Sequence, residues 1–243
     1  MRIAVVSDIH GNRHAFDAVL EDLGKVSPDL VVHGGDLAAN GAHPAEIIDH
    51  IRSLGWQGVR GNTDQMLWAP DDLPQLAARH PRLAPILHAF QEMIPATQAT
   101  IGEERLCWLK TLPDRQSVVG VTVVHASPSD LWRAPMEKAS DKELQTAYAF
   151  LDSPVVVYGH IHRPYVRHLG NLIVANAGSV SLSYDGDPRA SYLVVDGQDI
   201  RIRRVEYDLE SEANELLHAD LPHRDWLCRM LREGRYLSPE GHS

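Results

Sequence analysis

Several short polar motifs in this 243-residue chain combine aspartate and histidine at spacings that suit metal binding. In SDIHGN, Asp8 and His10 are two residues apart, so on extended backbone their side chains would project to the same side. His160 and His162 in YGHIH have the same spacing, and each could face a different cation. Asp36 follows a Gly-Gly pair in HGGDL, where the backbone can turn and bring a carboxylate close to two cations. The spacing therefore predicts a site for two metal ions.

Two further motifs complete the donor set. Asn62 in RGNTD supplies a neutral amide oxygen, and His125 in VHASP supplies another imidazole. Imidazole with carboxylate and amide oxygen, and without thiolate, suits two divalent transition metal ions: manganese, iron, zinc, cobalt or nickel. A shared Asp36 carboxylate would offset the repulsion between two dications. With Asp8 and Asp36 as the only anionic ligands, the site would carry a charge of about +2 and attract phosphate.

The elements that must position these motifs alternate between strand and helix in the first sixty residues. Apolar, β-branched runs predict strands, and apolar residues at helical spacing predict helices. The predicted strands are 3–7, 30–32 and 56–60, and the predicted helices are 12–25 and 44–54. Each motif stands where a predicted strand ends, and the carboxyl ends of parallel strands form the ligand-binding edge of such a sheet. The motifs can therefore converge although they are far apart in sequence.

The rest of the chain changes pattern twice. Residues 68–113 predict several short helices, which would form an insertion beside the sheet. No functional motif is recognised in this segment. A strand is predicted at 118–124, a helix that opens with a capping box at Ser140, and a buried strand at 155–158. Antiparallel strands and two closing helices follow. We expect a single domain over residues 1–243.

The motif set D-x-H, G-D, G-N, H and G-H-x-H, in this order, resembles the calcineurin-like metallophosphoesterase superfamily. SDIHGN with GNTD and GHIH, and the stretch from Gly178 to Tyr192, are similar to its small bacterial phosphodiesterase branch. This resemblance implies an α/β fold: a four-layer αββα sandwich of two mixed sheets flanked by helices.

The resemblance also implies roles for individual residues. One metal would be bound by Asp8, His10 and His162, the other by Asn62, His125 and His160, and Asp36 would bridge them. Asp36, Asn62 and Asp64 are the predicted catalytic residues. Many relatives carry a histidine after the motif asparagine that protonates the leaving group, and here that position is Thr63. Threonine cannot act as a general acid near neutral pH, and the role of Asp64, which would orient that histidine, stays open.

Candidate phosphate contacts are His14, Arg133 and Arg189, because they follow the motifs or the ligand-bearing strands. His33 precedes the Gly-Gly pair on a strand and is expected to pack. The remaining histidines are expected to be surface or partly buried residues without a ligand role; they are His43, His50, His80, His88, His168, His218, His223 and His242.

Composition limits the function classes. The formal net charge of −10 argues against binding of a nucleic-acid polymer, which depends on lysine and arginine. The chain shows no signal-peptide pattern and no apolar run of roughly 20 residues, so we expect a cytoplasmic protein without a membrane contact. The predicted function is hydrolysis of a small phosphodiester or phosphomonoester by a metal-bound hydroxide. The alternatives are a non-catalytic binding scaffold of the same fold and a nuclease; the oligomeric state is open.

Overall fold

The computed structural model describes residues 1–239, which contain ten strands in two sheets. His242 lies outside the described residues. The strands are β1 (Arg2–Val6), β2 (Leu30–His33), β3 (Gln57–Gly58), β4 (Arg115–Val118), β5 (Val121–Val124), β6 (Val155–Tyr158), β7 (Tyr165–Leu169), β8 (Leu172–Asn176), β9 (Ala190–Asp196) and β10 (Asp199–Val205).

Eight α-helices occur in the same part of the chain. They are α1 (Arg13–Val26), α2 (Pro44–Leu54), α3 (Asn62–Gln65), α4 (Asp72–Arg79), α5 (Ala84–Thr111), α6 (Asp141–Tyr148), α7 (Leu209–His218) and α8 (Arg224–Glu233). Local signals place two of their ends as expected. The Asn12 side chain accepts a hydrogen bond from the Ala15 N–H at 2.8 Å and caps α1, and Ser140 and Glu143 form the predicted capping box of α6. None of the helices is both long and apolar enough to cross a membrane.

Both sheets are mixed. The first has the order β10-β9-β1-β2-β3, in which β1, β2 and β3 are parallel and β9 and β10 are antiparallel neighbours. The second has the order β4-β5-β6-β8-β7, in which β5, β6 and β8 are parallel. The carboxyl ends of the parallel strands thus form one edge in each sheet.

Three apolar clusters separate the layers. Alternate residues of β1, Ile3 and Val5, pack between the sheets against residues such as Val123 and Val157. Their neighbours on β1 face α1, α2, α5, α7 and α8, and the outer face of the second sheet packs on α6. This period of two is that of strands buried on both faces. The predicted four-layer αββα sandwich of two mixed sheets is confirmed.

Residues 68–113 form several helices, as predicted, whereas the single strand predicted at 118–124 is wrong. Helix α4 and a 3-10 helix at residues 81–83 precede α5, whose 28 residues comprise two helical pieces that meet at Gly102. Buried side chains such as Phe90 and Ile101 hold it on the core across Pro95 and across Gly102, where the backbone leaves helical geometry (φ 70°). The single strand at 118–124 is instead the hairpin of β4 and β5, which turns at Val119 and Gly120 with positive φ.

Candidate metal centre

The motifs meet where the two sheets face each other at their ligand-bearing edges. Asp8 and His10 follow β1, Asp36 follows β2, and Asn62 opens α3 after β3. From the second sheet, His125 follows β5, and His160 and His162 follow β6. Backbone contacts join the loops: the N–H of His10 donates to the Asp36 carbonyl at 2.9 Å, and the N–H of His160 donates to both Asp8 carboxylate oxygens at 3.1 Å. The structure therefore brings all seven predicted ligands together.

The backbone at these residues is left-handed. The φ angles are 56° at Asp8, 50° at His10, 53° at Asp36, 65° at His160 and 53° at His162. The expectation that Asp8 and His10 project from extended backbone was wrong, because strand β1 ends at Val6 and the chain after it is no longer extended. For non-glycine residues this region costs roughly 1 kcal/mol or more each and is concentrated at functional sites. The strained backbone of these loops directs the side chains toward a common centre.

Glycines in two motifs permit the close approach of the loops. A Cβ atom on Gly61 would collide with the Asp36 carboxylate, and one on Gly159 would collide with the Asp8 carboxylate. The G-N and G-H pairs of the motifs therefore place Asn62 and His160 directly against the aspartates of other loops.

The ligands form two groups. In the first, the Nε2 atom of His162 lies 3.1 Å from Oδ1 of Asp8 and 3.3 Å from Nε2 of His10. In the second, Oδ1 of Asn62 lies 2.8 Å from Nε2 of His125 and 2.9 Å from Nδ1 of His160. These groups have the membership that the resemblance implied.

Asp36 lies between the groups. Its Oδ2 atom is 3.8 Å from Nε2 of His10 in the first group and 3.5 Å from Nε2 of His125 in the second. Its Oδ1 atom accepts the Thr63 N–H at 2.9 Å, which fixes the carboxylate. One carboxylate therefore faces both groups.

Hydrogen bonds set the tautomers of three histidines. The Nδ1 atoms of His10, His125 and His162 contact backbone carbonyl oxygens, so each Nδ1 carries the proton and each Nε2 presents a lone pair to the centre. The acceptors are Ala39, Gly34 and Leu182, respectively. The facing Nε2 lone pairs of His10 and His162 repel each other unless a cation binds between them. The donor set therefore fits metal ions.

Burial controls the charges of these ligands. Desolvation lowers the pKa of His10 and of His162 to about 4, so both imidazoles are in the neutral form that binds metals. Desolvation also raises the pKa of Asp8 and of Asp36 to about 6. Buried carboxylates are costly to ionise alone, and a bound cation offsets that cost.

Asp64 faces the backbone and not the cleft. Its carboxylate accepts the N–H groups of Asp36 at 2.9 Å, Leu37 at 2.9 Å and Gly61 at 3.0 Å. These contacts are those of a positioning residue that holds the loop after β2 against the start of α3. They give Asp64 a role that does not need a histidine at position 63. The neighbouring Thr63 lines the cleft, and its buried Oγ1 has no hydrogen-bond partner among the described residues.

The cleft above the ligands has a volume of about 130 Å³. Its walls are apolar and aromatic: Leu83, Ile86, Leu87, Phe90, Trp132, Tyr184 and Tyr236. Tyr184 stacks on His162 with ring centroids 4.5 Å apart. No lysine or arginine is found among the described residues that line the cleft. The contribution of α5 to the cleft was not predicted, because an apolar helix face has the same sequence pattern over a cleft as over a core.

The three candidate phosphate contacts lie away from this cleft. His14 faces Glu215, with Nε2 and Oε1 3.2 Å apart. Arg189 pairs with Asp187 at 2.7 Å, and Arg133 lines a separate groove beside α6. Their contact with substrate stays a prediction that this arrangement does not support.

A larger pocket of about 570 Å³ adjoins the cleft across Trp132, which lines both. Its polar lining includes Arg60, Arg79 and Ser127, and Arg60 is paired with Asp114 at 2.6 Å. The cleft is therefore narrow at the ligands and has room beyond Trp132.

Residues 1–199 match the model of the calcineurin-like phosphoesterase superfamily domain, and the chain belongs to this family of metal-dependent phosphoesterases. It is 30% identical to an uncharacterized protein of Methanocaldococcus jannaschii, over 96% of this chain and 98% of that protein. It is 25% identical to the phosphodiesterase YfcE of Escherichia coli, over 83% of this chain and 91% of YfcE. The predicted resemblance is confirmed.

Solved structures agree with the fold. A metallophosphoesterase from Sphaerobacter thermophilus matches with a TM-score of 0.78 and 27% identity, covering 96% of this chain and all of that chain (100%). A hypothetical protein from Pyrococcus horikoshii matches with a TM-score of 0.83 over 96% of this chain and 98% of that chain; at 18% identity it supports the fold alone.

Proposed function

We propose that this protein hydrolyses a small phosphodiester at a dinuclear metal centre. The observation that carries the proposal is the position of Asp36, whose one carboxylate oxygen faces His10 in the first ligand group and His125 in the second. Asp8, His10 and His162 would bind one ion, Asn62, His125 and His160 the other, and Asp36 both. The mixed nitrogen and oxygen donors suit manganese, iron, zinc, cobalt or nickel.

The two ions, when bound, supply Lewis acidity and neutralise charge that develops on the phosphate oxygens. The protein's own residues orient the reaction. Asp64 and the Thr63 N–H hold Asp36 in place, and backbone carbonyls hold the imidazole rings. Because these groups are fixed before substrate binds, little reorganisation is needed at the moment of reaction.

The lining of the cleft favours a diester over a monoester. A diester carries one negative charge at neutral pH, and a monoester carries nearly two. The site of about +2 falls to about +1 once the hydroxide that attacks phosphorus is counted, and this charge neutralises a diester. The second negative charge of a monoester would need lysine or arginine, and the described lining of the cleft holds neither. The apolar walls fit the ester groups of a diester, and the adjoining pocket gives one of them room.

The same features argue against a nuclease. Recognition of a nucleic-acid backbone needs a run of basic side chains, whereas the cleft is narrow and apolar and the chain carries a net charge of −10.

The test uses protein stripped by chelator and reloaded with manganese. We expect it to hydrolyse a bis-aryl phosphodiester with a kcat/KM at least about tenfold above that for the matching aryl monoester, the effect of roughly 1.4 kcal/mol from one unneutralised charge. Protein left metal-free should be inactive. Hydrolysis of neither ester by metal-loaded protein would support the binding scaffold instead. Faster hydrolysis of the monoester would contradict the charge argument and leave the dinuclear centre standing.

A further inference from the structure

A second group of metal-binding side chains lies outside the cleft, between α1 and α7. His14, Glu212 and Glu215 each offer one ligand atom, and these atoms all lie within 4.8 Å of one another. His14 is in the first turn of α1, and the two glutamates are three residues apart on one face of α7. His43, directly before α2, contacts the second carboxylate oxygen of Glu215 through Nε2.

The contacts within this group are poorly explained by hydrogen bonding alone. Nε2 of His14 lies 3.2 Å from Oε1 of Glu215, yet this buried atom makes no hydrogen bond within residues 1–239. Two ligands about 2.0–2.1 Å from a tetrahedral ion are themselves about 3.3 Å apart. The spacing of these two atoms is therefore that of neighbouring ligands around one ion.

Glu212 is the most deeply buried member, with 1% of its surface exposed. Its carboxylate accepts the His14 N–H at 3.3 Å, and no arginine, lysine or histidine forms an ion pair with it in the described chain. A buried carboxylate without a cationic partner costs several kcal/mol when ionised, and a bound cation removes that cost.

The surroundings resemble the outer shell of a metal site. Nδ1 of His43 lies 3.3 Å from Oε1 of Glu46, which would orient the ring so that Nε2 holds Glu215. Arg13 lies 3.4 Å from Glu215 and 3.6 Å from Glu46, so it balances the outer carboxylates but does not reach Glu212.

We propose that His14, Glu212 and Glu215 bind a third divalent transition-metal ion such as zinc, with His43 holding the second carboxylate oxygen of Glu215. The ion would join α1 and α7, and His43 would connect this pair to α2. Because α1 begins three residues after His10, the ion would anchor the chain next to the loop that carries Asp8 and His10. The alternative is a metal-free network of Arg13, His14 and His43 with the glutamates.

Zinc stoichiometry separates the two cases. Chelator-treated protein is dialysed against zinc, and bound zinc is measured for the wild type, for Glu212→Gln and for His14→Gln. We expect each variant to bind one zinc per chain less than the wild type. Glu210→Gln is the matched control, since Glu210 lies on the same helix but is exposed and pairs with Arg232 at 2.7 Å. The same zinc content in the wild type and in both variants would overturn the proposal.

Two additions make the result independent of the dinuclear centre and of folding. The comparison is repeated with Asp36→Asn in every protein, where the difference of one zinc should persist whatever the cleft binds. Zinc should also raise the Tm of the wild type more than that of His14→Gln, whose partly exposed side chain makes misfolding a small risk. An equal rise in both proteins would favour the metal-free network.

Discussion

Individual residues at the metal centre combine strained backbone with strict hydrogen bonding. Asp8, Asp36 and His162 have left-handed φ angles, and each also has a side-chain or backbone contact to another loop. Strain of this kind persists only where the surroundings determine the conformation more than the residue itself does. The geometry of the ligands is thus set before metal binds.

Asp36→Asn is the sharpest change at this scale. It keeps the shape and tolerates positive φ, but it removes the one charge that both ions would share. We expect the variant to lose one or both metals from the cleft. We also expect kcat/KM to fall by more than about 10³-fold, as for removal of a key electrostatic group. Metal analysis and aryl diester hydrolysis measure this. Asp71→Asn, before α4, is the control; full activity of Asp36→Asn would contradict the shared-carboxylate account.

Thr63 bears on how the proposed hydrolysis would end. Its side chain lines the cleft without a proton to give near neutral pH, so departure of a poor leaving group would lack an acid at this position. We expect log kcat/KM to fall steeply as the leaving-group pKa rises, and Thr63→His to improve alkyl esters by about 10²-fold, the low end of general acid catalysis. A slope that Thr63→His leaves unchanged would mean that position 63 does not face the leaving group.

At the scale of single elements, β2 contains an unusual residue. His33 is fully buried, neither ring nitrogen has a hydrogen-bond partner in the described chain, and desolvation lowers its pKa to about 3. The expectation that it packs is confirmed, since its buried ring lies against Gly58 and its centroid is 6.5 Å from that of Trp108. Below pH 6.5 the unfolded chain binds a proton here and the folded chain does not, so this residue lowers stability as pH falls.

His33→Leu should remove that dependence on pH. Between pH 7.5 and pH 5 we expect the free energy of unfolding of the variant to rise relative to the wild type by about 2 kcal/mol, or about 1.4 kcal/mol for each pH unit below 6.5. Denaturant titrations of metal-free protein at both pH values measure the difference. His168→Leu, an exposed position on β7, is the control. A difference that does not change with pH would show that His33 is charged when folded.

Helix α5 contributes part of the cleft wall, and a substitution at Ile86 tests this contribution. Ile86→Ala removes apolar contact with an ester group and leaves the ligands intact. We expect KM for an aryl diester to rise about five- to thirtyfold with little change in kcat, since roughly 1–2 kcal/mol of uniform binding is lost. Ile202→Ala on the surface of β10 is the control. A fall in kcat with KM unchanged would assign Ile86 a different role.

The sequence predicts some of these features and not others, for physical reasons. Asp8, Asp36 and Asn62 were predicted as neighbours because the parallel strands β1, β2 and β3 end at a common edge. The left-handed backbone of the loops was not predicted, since it depends on contacts with distant loops. Gly102 interrupts α5 as its propensity predicts, whereas Pro95 lies inside the helix because burial of residues such as Phe90 and Ile101 outweighs the local preference.

For the whole molecule, the packing of the two sheets is what creates the site. The first sheet carries Asp8, His10, Asp36 and Asn62, and the second carries His125, His160 and His162, so each ligand group contains residues of both sheets. Apolar residues of β1 and β6 hold the sheets together directly beneath the site. The single domain over residues 1–243, with 68–113 as a helical insertion, stays a prediction.

The position of bound metal tests this account most directly. Crystals of the protein loaded with manganese should give two anomalous scattering peaks in the cleft. One should lie among Asp8, His10 and His162, the other among Asn62, His125 and His160, and both within bonding distance of Asp36. A single peak, or two peaks of which only one touches Asp36, would contradict the dinuclear centre.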